Sequence, residues 1–307
     1  MTPPDFHAVA LDADDGVRLA LTCVGRPGAA ATLVYVHPLL AERRFWSPVI
    51  RRLHEHLSGA VAQISYDQRG HGDSGAPGGR EPTTLARLAE DLDLVLAQAS
   101  GSVVLVAHST AAQLVCAYAA DHRDRAASLA GLVFLNAAAE PPSFPRYLRT
   151  WPPRLARWRR YRALDAVTAA GEAVLGYRIQ RSGPLLVARS GADPRTVVDV
   201  LAAHPGLGLP DGAAEPLRDI PVVVLAGERD PLAPPQRAAG LANALWADFD
   251  IVTGAGHFLP HTHLEQATDT ITATLDHALR RHLEHSTSGA ATHTPRAGHQ
   301  EPWWARP

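Results

Sequence analysis

Apolar residues gather in short blocks along this chain, and the blocks alternate between a strand-like and a helix-like period. Phe6 to Leu11 and Val17 to Val24 are strand-like and flank Asp12-Ala13-Asp14-Asp15-Gly16. Aspartates running into a glycine are turn chemistry, so the pair predicts an antiparallel hairpin with a solvated acidic turn. Ala31 to His37 is almost continuously apolar, the pattern of a strand covered on both faces. Helical spacing follows from about Phe45 to Leu57, then a strand over Val61 to Asp67, a glycine-rich loop to Gly75, and a helix from about Thr83 to Ala99. Val103 to His108 reads as another buried strand, an Ala-rich helix begins near Ala111, and Gly131 to Asn136 is a further strand.

The alternation then stops. From Ala137 to about Leu217 the chain turns to Pro, Arg and Trp with short helical pieces, and the strand pattern resumes at Pro221 to Gly227 and again near Phe249 to Val252. An amphipathic helix spans about Thr262 to His285, and a Thr, Ser, Gly, Pro and His-rich tail follows, of a composition that does not fold by itself. Strands alternating with helices imply right-handed crossovers. The predicted class is α/β: a mostly parallel eight-stranded sheet flanked by helices, with an inserted, mainly helical cap. The core is assigned to 1–136 and 217–285, the cap to 137–216, and a tail without structure to 286–307.

Composition narrows the chemistry. Of 307 residues, 46% are hydrophobic and 20% charged, enough for an ample core. A formal net charge of -2 supplies no field for nucleic acid or an anionic surface. The chain has no lysine, which excludes Schiff-base chemistry and lysine-assisted serine mechanisms. Cys23 and Cys116 lie in apolar surroundings and read as buried thiols of a reducing compartment. The N-terminus lacks the pattern of a secretory signal, and no stretch is long and apolar enough to span a bilayer, so a cytoplasmic protein is expected. The oligomeric state is left open.

The stretch that carries chemistry is Ala107-His108-Ser109-Thr110-Ala111. A buried strand ends in small residues around one serine and a helix begins at once, which is the setting of a nucleophile elbow. Presenting a serine hydroxyl clear of the backbone takes a strained turn that draws together the residues two before and two after it, so both must be small. Here they are alanines, Ala107 and Ala111, where two glycines are usual.

With this turn, three further patterns in the same order resemble the α/β-hydrolase superfamily over Phe6 to His285. Asp67-Gln68-Arg69-Gly70-His71-Gly72-Asp73-Ser74 is similar to the loop after that family's fourth strand. Leu225-Ala226-Gly227-Glu228-Arg229-Asp230-Pro231 is similar to the turn that carries the acid, and Gly254-Ala255-Gly256-His257-Phe258 to the loop that carries the histidine. The resemblance implies a triad of Ser109 as nucleophile, His257 as base and Asp230 as acid, in the chain order of this fold. A serine needs a base within hydrogen-bond reach, and the base needs a carboxylate to fix its tautomer. Glu140, after the sixth strand, is the rival acid.

The resemblance also implies an oxyanion hole of two backbone amides, from Thr110 and from the loop His37-Pro38-Leu39-Leu40. Pro38 has no amide hydrogen, so the second donor is assigned to Leu39. Substrate contacts are expected from His37, Leu40, His108, Trp151 and Trp158. The implied substrate is a small to medium apolar acyl ester, thioester or lactone, cleaved without cofactor or metal. Acyl transfer, cyclisation and C–C bond hydrolysis are alternatives on the same residues, and a non-catalytic ligand receptor is an alternative on the same fold.

Plainer roles are expected for other conspicuous residues. Asp67, Arg69 and Ser74 brace their loop. His261 and His263 sit at a solvated helix start rather than on a metal. Many arginines of the run from Arg154 to Arg162 cover the outer face of cap helices. The glycines from Gly70 to Gly79 lack the spacing of a phosphate cradle.

Overall fold

The computed structural model describes residues 6–26, 28–79, 81–139, 192–203, 208–287 and 303. The strands are β1 (Phe6–Asp12), β2 (Arg18–Val24), β3 (Ala31–Val36), β4 (Ala62–Tyr66), β5 (Ser102–His108), β6 (Gly131–Leu135), β7 (Val222–Gly227) and β8 (Asp248–Val252). The helices among the described residues are α1 (Ser47–His56), α2 (Leu85–Leu96), α3 (Ala111–Asp121), α4 (Arg123–Ala127), α5 (Pro194–Ala203), α6 (Pro235–Leu245), α7 (Leu259–Thr262) and α8 (Leu264–Thr287). One eight-stranded sheet runs in the order β1-β2-β4-β3-β5-β6-β7-β8. The hairpin β1–β2 joins β4 antiparallel, and every pair from β4 through β3 to β8 is parallel.

Side-chain alternation builds two apolar layers. On β5, Val104 and Val106 face a core completed by Phe45, Trp46 and Val49 near the start of α1 and by Ile271 and Leu275 of α8. Leu105 and Ala107 face the opposite core, with Leu88 and Leu92 of α2, Leu114 and Val115 of α3, and Leu241 of α6. Both layers cover the central strands, which is why β3, β4 and β6 are buried at every position. The chain leaves β3 toward one layer and β5 toward the other. Between their C-terminal ends lies the topological switch point, where a doubly wound sheet opens a crevice. His37 to Leu40 and Ser109 flank it.

The acidic hairpin turn is exposed at Asp12, Asp14 and Asp15, as expected, and it also carries ion pairs. Arg69 is 1% exposed and forks onto Asp91, with both nitrogen-oxygen distances at 2.6 Å, while its third nitrogen reaches Asp15 at 2.6 Å. Asp14 pairs with Arg87. A buried guanidinium must be matched by carboxylates, so the turn aspartates anchor the hairpin to the loop after β4. That loop is braced as its sequence implied. Ser74 Oγ donates to the Asp67 carbonyl at 2.6 Å and accepts from the Ala20 amide at 2.9 Å, and the Asp67 carboxylate accepts from the amides of Arg43 and Asp73 at 2.6 and 2.8 Å. Gly72 is obligatory here, since a Cβ on it would lie 2.3 Å from Asp67 Oδ2.

β6 and β7 pair directly and in parallel, so the connection between them leaves the sheet at its C-terminal edge and re-enters at the N-terminal edge. Of that segment, α5 packs on the body: Val200 is buried in the α2–α3 layer, the Asp193 amide donates to Gly70 O at 2.6 Å, and Asp199 accepts from the Thr83 amide at 3.1 Å. Beyond His285, α8 continues through Ser286 and Thr287, and Trp303 is buried, its ring 5.4 Å from that of His7 and its amide donating to Gln98 Oε1 at 2.9 Å. Among the described residues no helix is long and apolar enough to cross a membrane. Cys23 and Cys116 are buried, and burial pushes the Cys116 thiol up to about 12.

Candidate active site

Ser109 stands between β5 and α3 with φ of 56°, in the left-handed region that non-glycine residues rarely enter. Its amide donates to Leu135 O at 3.1 Å, pinning the turn to the neighbouring strand. Ala107 and Ala111 are 0% and 2% exposed, so their methyl groups fill the space that two glycines would leave. The turn thus forms with alanines. Ser109 itself is 6% exposed.

Asp230 follows β7 and His257 follows β8. The two loops interlock through Glu228 Oε2, which accepts from the Gly254 amide at 2.7 Å, and through the Arg229 amide, which donates to Ala255 O at 2.8 Å. Gly227 allows this approach, because a Cβ there would meet the carbonyl oxygens of Ala255 and Gly256 at 2.7 Å. The result is a buried pair, with His257 Nδ1 2.8 Å from Asp230 Oδ2. Burial alone would raise the Asp230 pKa, but the bond from His257, its charge, the Ala233 amide and the Asn136 amide outweigh it and lower the value. An ionised carboxylate only accepts, so the His257 proton sits on Nδ1 and the Nε2 lone pair is left free to take a proton.

Asn136 was not singled out by the sequence. It directly follows β6 with φ of 50°, and its Nδ2 donates to Asp230 Oδ2 at 2.6 Å and to Gly256 O at 3.2 Å. Asp230 Oδ1 accepts from the amides of Leu232 and Ala233 at 2.8 and 3.0 Å. Four donors therefore fix the carboxylate in one orientation. An asparagine closing a buried strand tolerates the left-handed conformation, and that was the one signal available.

On the other side of Ser109, the Thr110 amide has no acceptor among the described residues and opens α3, where the helix dipole favours negative charge. The Leu39 amide donates to Thr110 Oγ1 at 2.7 Å, and Leu40 next to it has φ of 67°. Both leucines are partly exposed. His37 and His108, expected at the substrate, are instead 0% exposed. His37 Nε2 accepts from the Gln68 amide at 3.0 Å, which leaves its proton on Nδ1, 2.9 Å from Pro38 O. His108 Nε2 donates to the His257 carbonyl at 2.8 Å, and its ring packs against those of Phe45, Trp46 and His257. Both hold loops in place. His261 is partly exposed, with its ring 4.6 Å from that of Phe45. Trp151, Trp158 and the rival acid Glu140 lie outside the described residues.

These buried rings carry a consequence for stability. Burial depresses the pKa of His37 to about 3 and of His261 to about 4, and lowers that of His108 well below its ordinary value. Unfolded, each titrates near 6.5, so between about pH 6.5 and 4 the unfolded chain binds more protons than the folded one. Stability is then fully present above 6.5 and falls with pH by about 1.4 kcal/mol per unit for each such histidine. The urea midpoint should drop steadily from pH 7 to pH 5. A flat midpoint over that range would show that these rings are accessible to protons in the folded state.

Residues 33–274 match the sequence profile of the Alpha/beta hydrolase family. No curated protein matches the chain. Among solved structures it is similar to a thermophilic esterase from Thermogutta terrifontis, at 23% identity and a TM-score of 0.62 over 89% of this chain and 99% of that one. It is similar to the enol-lactonase from Burkholderia xenovorans LB400, at 24% identity and 0.64 over 87% and 100%. An esterase from Exiguobacterium antarcticum aligns at 16% identity and 0.68 over 88% and 100%. At these identities the likeness is one of fold.

Proposed function

The chain belongs to the alpha/beta hydrolase family, and from that premise we propose that it cleaves a carboxylic ester, thioester or lactone of a small to medium apolar acyl group through Ser109, His257 and Asp230. The observation that carries the proposal is the buried His257–Asp230 pair, held at 2.8 Å at the same strand ends as the left-handed Ser109 turn. In this reading Ser109 Oγ adds to the carbonyl carbon as its proton passes to His257 Nε2. Asp230 stabilises the resulting imidazolium, and the proton is handed to the leaving alkoxide. Water then adds to the acyl-enzyme by the same route in reverse. The esterase and lactonase activities named for the structural neighbours are chemistries this reading accommodates.

Hydrolysis of a series of p-nitrophenyl esters from acetate to decanoate tests it, with an aryl lactone alongside. Turnover of the short and medium esters is expected. No turnover of any member, with ligand binding retained, would favour the receptor reading. The same series tests the insertion as a substrate cover. Because α5 packs on the body, the replacement by a short Gly-Ser linker spans 141–191 and spares it. The shortened protein should keep KM for acetate within about threefold and raise it about tenfold or more for hexanoate, as loss of an apolar wall implies. Equal changes for both esters would remove the cover role.

A further inference from the structure

Thr110 occupies the N-cap position of α3, where a threonine side chain ordinarily accepts from an amide of the first helical turn. Here it makes no cap bond. Its Oγ1 turns instead to the loop after β3 and accepts the Leu39 amide hydrogen at 2.7 Å. That amide is the one the family pattern assigns to a developing oxyanion. A single N–H well aligned on one acceptor does not serve a second at full strength, so Leu39 is already engaged in the resting site. The preceding residue offers no substitute, because Pro38 has no amide hydrogen. Two neighbouring facts leave the hydroxyl with a proton to give. A hydroxyl carries one donor and two acceptor positions, and the only bond made by Thr110 Oγ1 among the described residues is the one it accepts. Thr110 is also partly exposed, next to a serine that is itself nearly buried.

We propose that the Thr110 side chain is a catalytic donor of the oxyanion hole. When Ser109 Oγ bonds to the carbonyl carbon and its proton passes to His257, the carbonyl π pair moves onto oxygen. The proposal assigns that oxygen two donors from one residue, the Thr110 amide and the Thr110 hydroxyl. The Leu39 amide stands behind the hydroxyl and polarises it, since a group that accepts a hydrogen bond donates a stronger one. The β-branched side chain has few rotamers, so donor and amide are held in fixed relation. The Pro38 and Leu39 loop then acts through Thr110 rather than on the substrate. This inference rests on the Ser109 hydrolase reading and adds to it a side-chain donor.

The test compares Thr110→Val, Thr110→Ala and Thr110→Ser with the parent and with Ser109→Ala on p-nitrophenyl butyrate. Thr110→Val and Thr110→Ala should each lower kcat by about 10²- to 10³-fold, the usual effect of losing one oxyanion donor, with KM within about threefold. Thr110→Ser should recover to within about tenfold of the parent. A short alkyl trifluoromethyl ketone, which adds Ser109 to form a hemiketal oxyanion, should lose affinity for the valine variant by the same factor as kcat/KM. Butyrate, which forms no such adduct, should bind unchanged. If Ser109→Ala is inactive while the valine or alanine variant keeps kcat within threefold, the hydroxyl is no donor and the Leu39 amide serves the oxygen once released. If Ser109→Ala retains the parent rate, the hydrolase reading falls and takes this inference with it. Should the valine variant fail to fold by its thermal transition, the alanine and serine pair decides by the same criteria.

Discussion

Ser109→Ala should lower kcat for p-nitrophenyl butyrate by about 10⁵- to 10⁶-fold, the scale seen when the nucleophile of such a group of residues is removed. The size follows from how the site is built. His257 and Asp230 are tied to each other and to the β7 and β8 loops, so in the proposed chemistry they act only through the Ser109 hydroxyl. The fold should survive the change. Alanine suits a turn whose flanks are already Ala107 and Ala111, and the bond from the Ser109 amide to Leu135 O is a backbone bond that the variant keeps. Circular dichroism and the thermal midpoint should match the parent within a few degrees. Substantial residual esterase activity would move the nucleophile elsewhere.

The second large effect concerns the acid. Asp230→Asn should lower kcat by about 10³- to 10⁴-fold, whereas Glu140→Gln should leave it within about threefold. The arrangement around Asp230 gives the reason. Its Oδ1 accepts from the amides of Leu232 and Ala233, so an asparagine there must keep its oxygen on that side. Its NH₂ group then faces both Asn136 Nδ2 and His257 Nδ1, which donate to Oδ2 in the parent. Two donors would oppose the new donor. His257 would be driven to the tautomer with its proton on Nε2, where it cannot accept one from Ser109. The reverse ranking of the two variants would transfer the acid role to Glu140.

Much of this framework was legible in the sequence because its signals are local. Continuous apolar runs such as Ala31 to Val36 and Val103 to Ala107 mark strands covered on both faces, and the small residues around Ser109 mark a turn that only small residues permit. What escaped depends on long-range contacts. Asn136 meets Asp230 across 94 positions and His108 meets the His257 carbonyl across 149, and their flanks do not name these partners. With 16 histidines in the chain, His37 and His108 looked like substrate contacts, yet both rings are fully buried props. The tie of the exposed hairpin turn to Arg69 escaped because Arg69 lies 54 positions from Asp15. The packing of Val200 of α5 on the α2–α3 layer also escaped, because helical spacing shows that a helix forms but not what it packs on.

The central claim is that Ser109 is a nucleophile activated by His257. Its most direct measurement is mass spectrometry of the full chain after brief exposure to an alkyl fluorophosphonate, with peptide mapping of the adduct. One label per chain is expected, on Ser109, with labelling slowed at least about a hundredfold in His257→Ala, as loss of the general base implies. A label on another residue, no label on a folded chain, or equal labelling of the His257→Ala variant would contradict it.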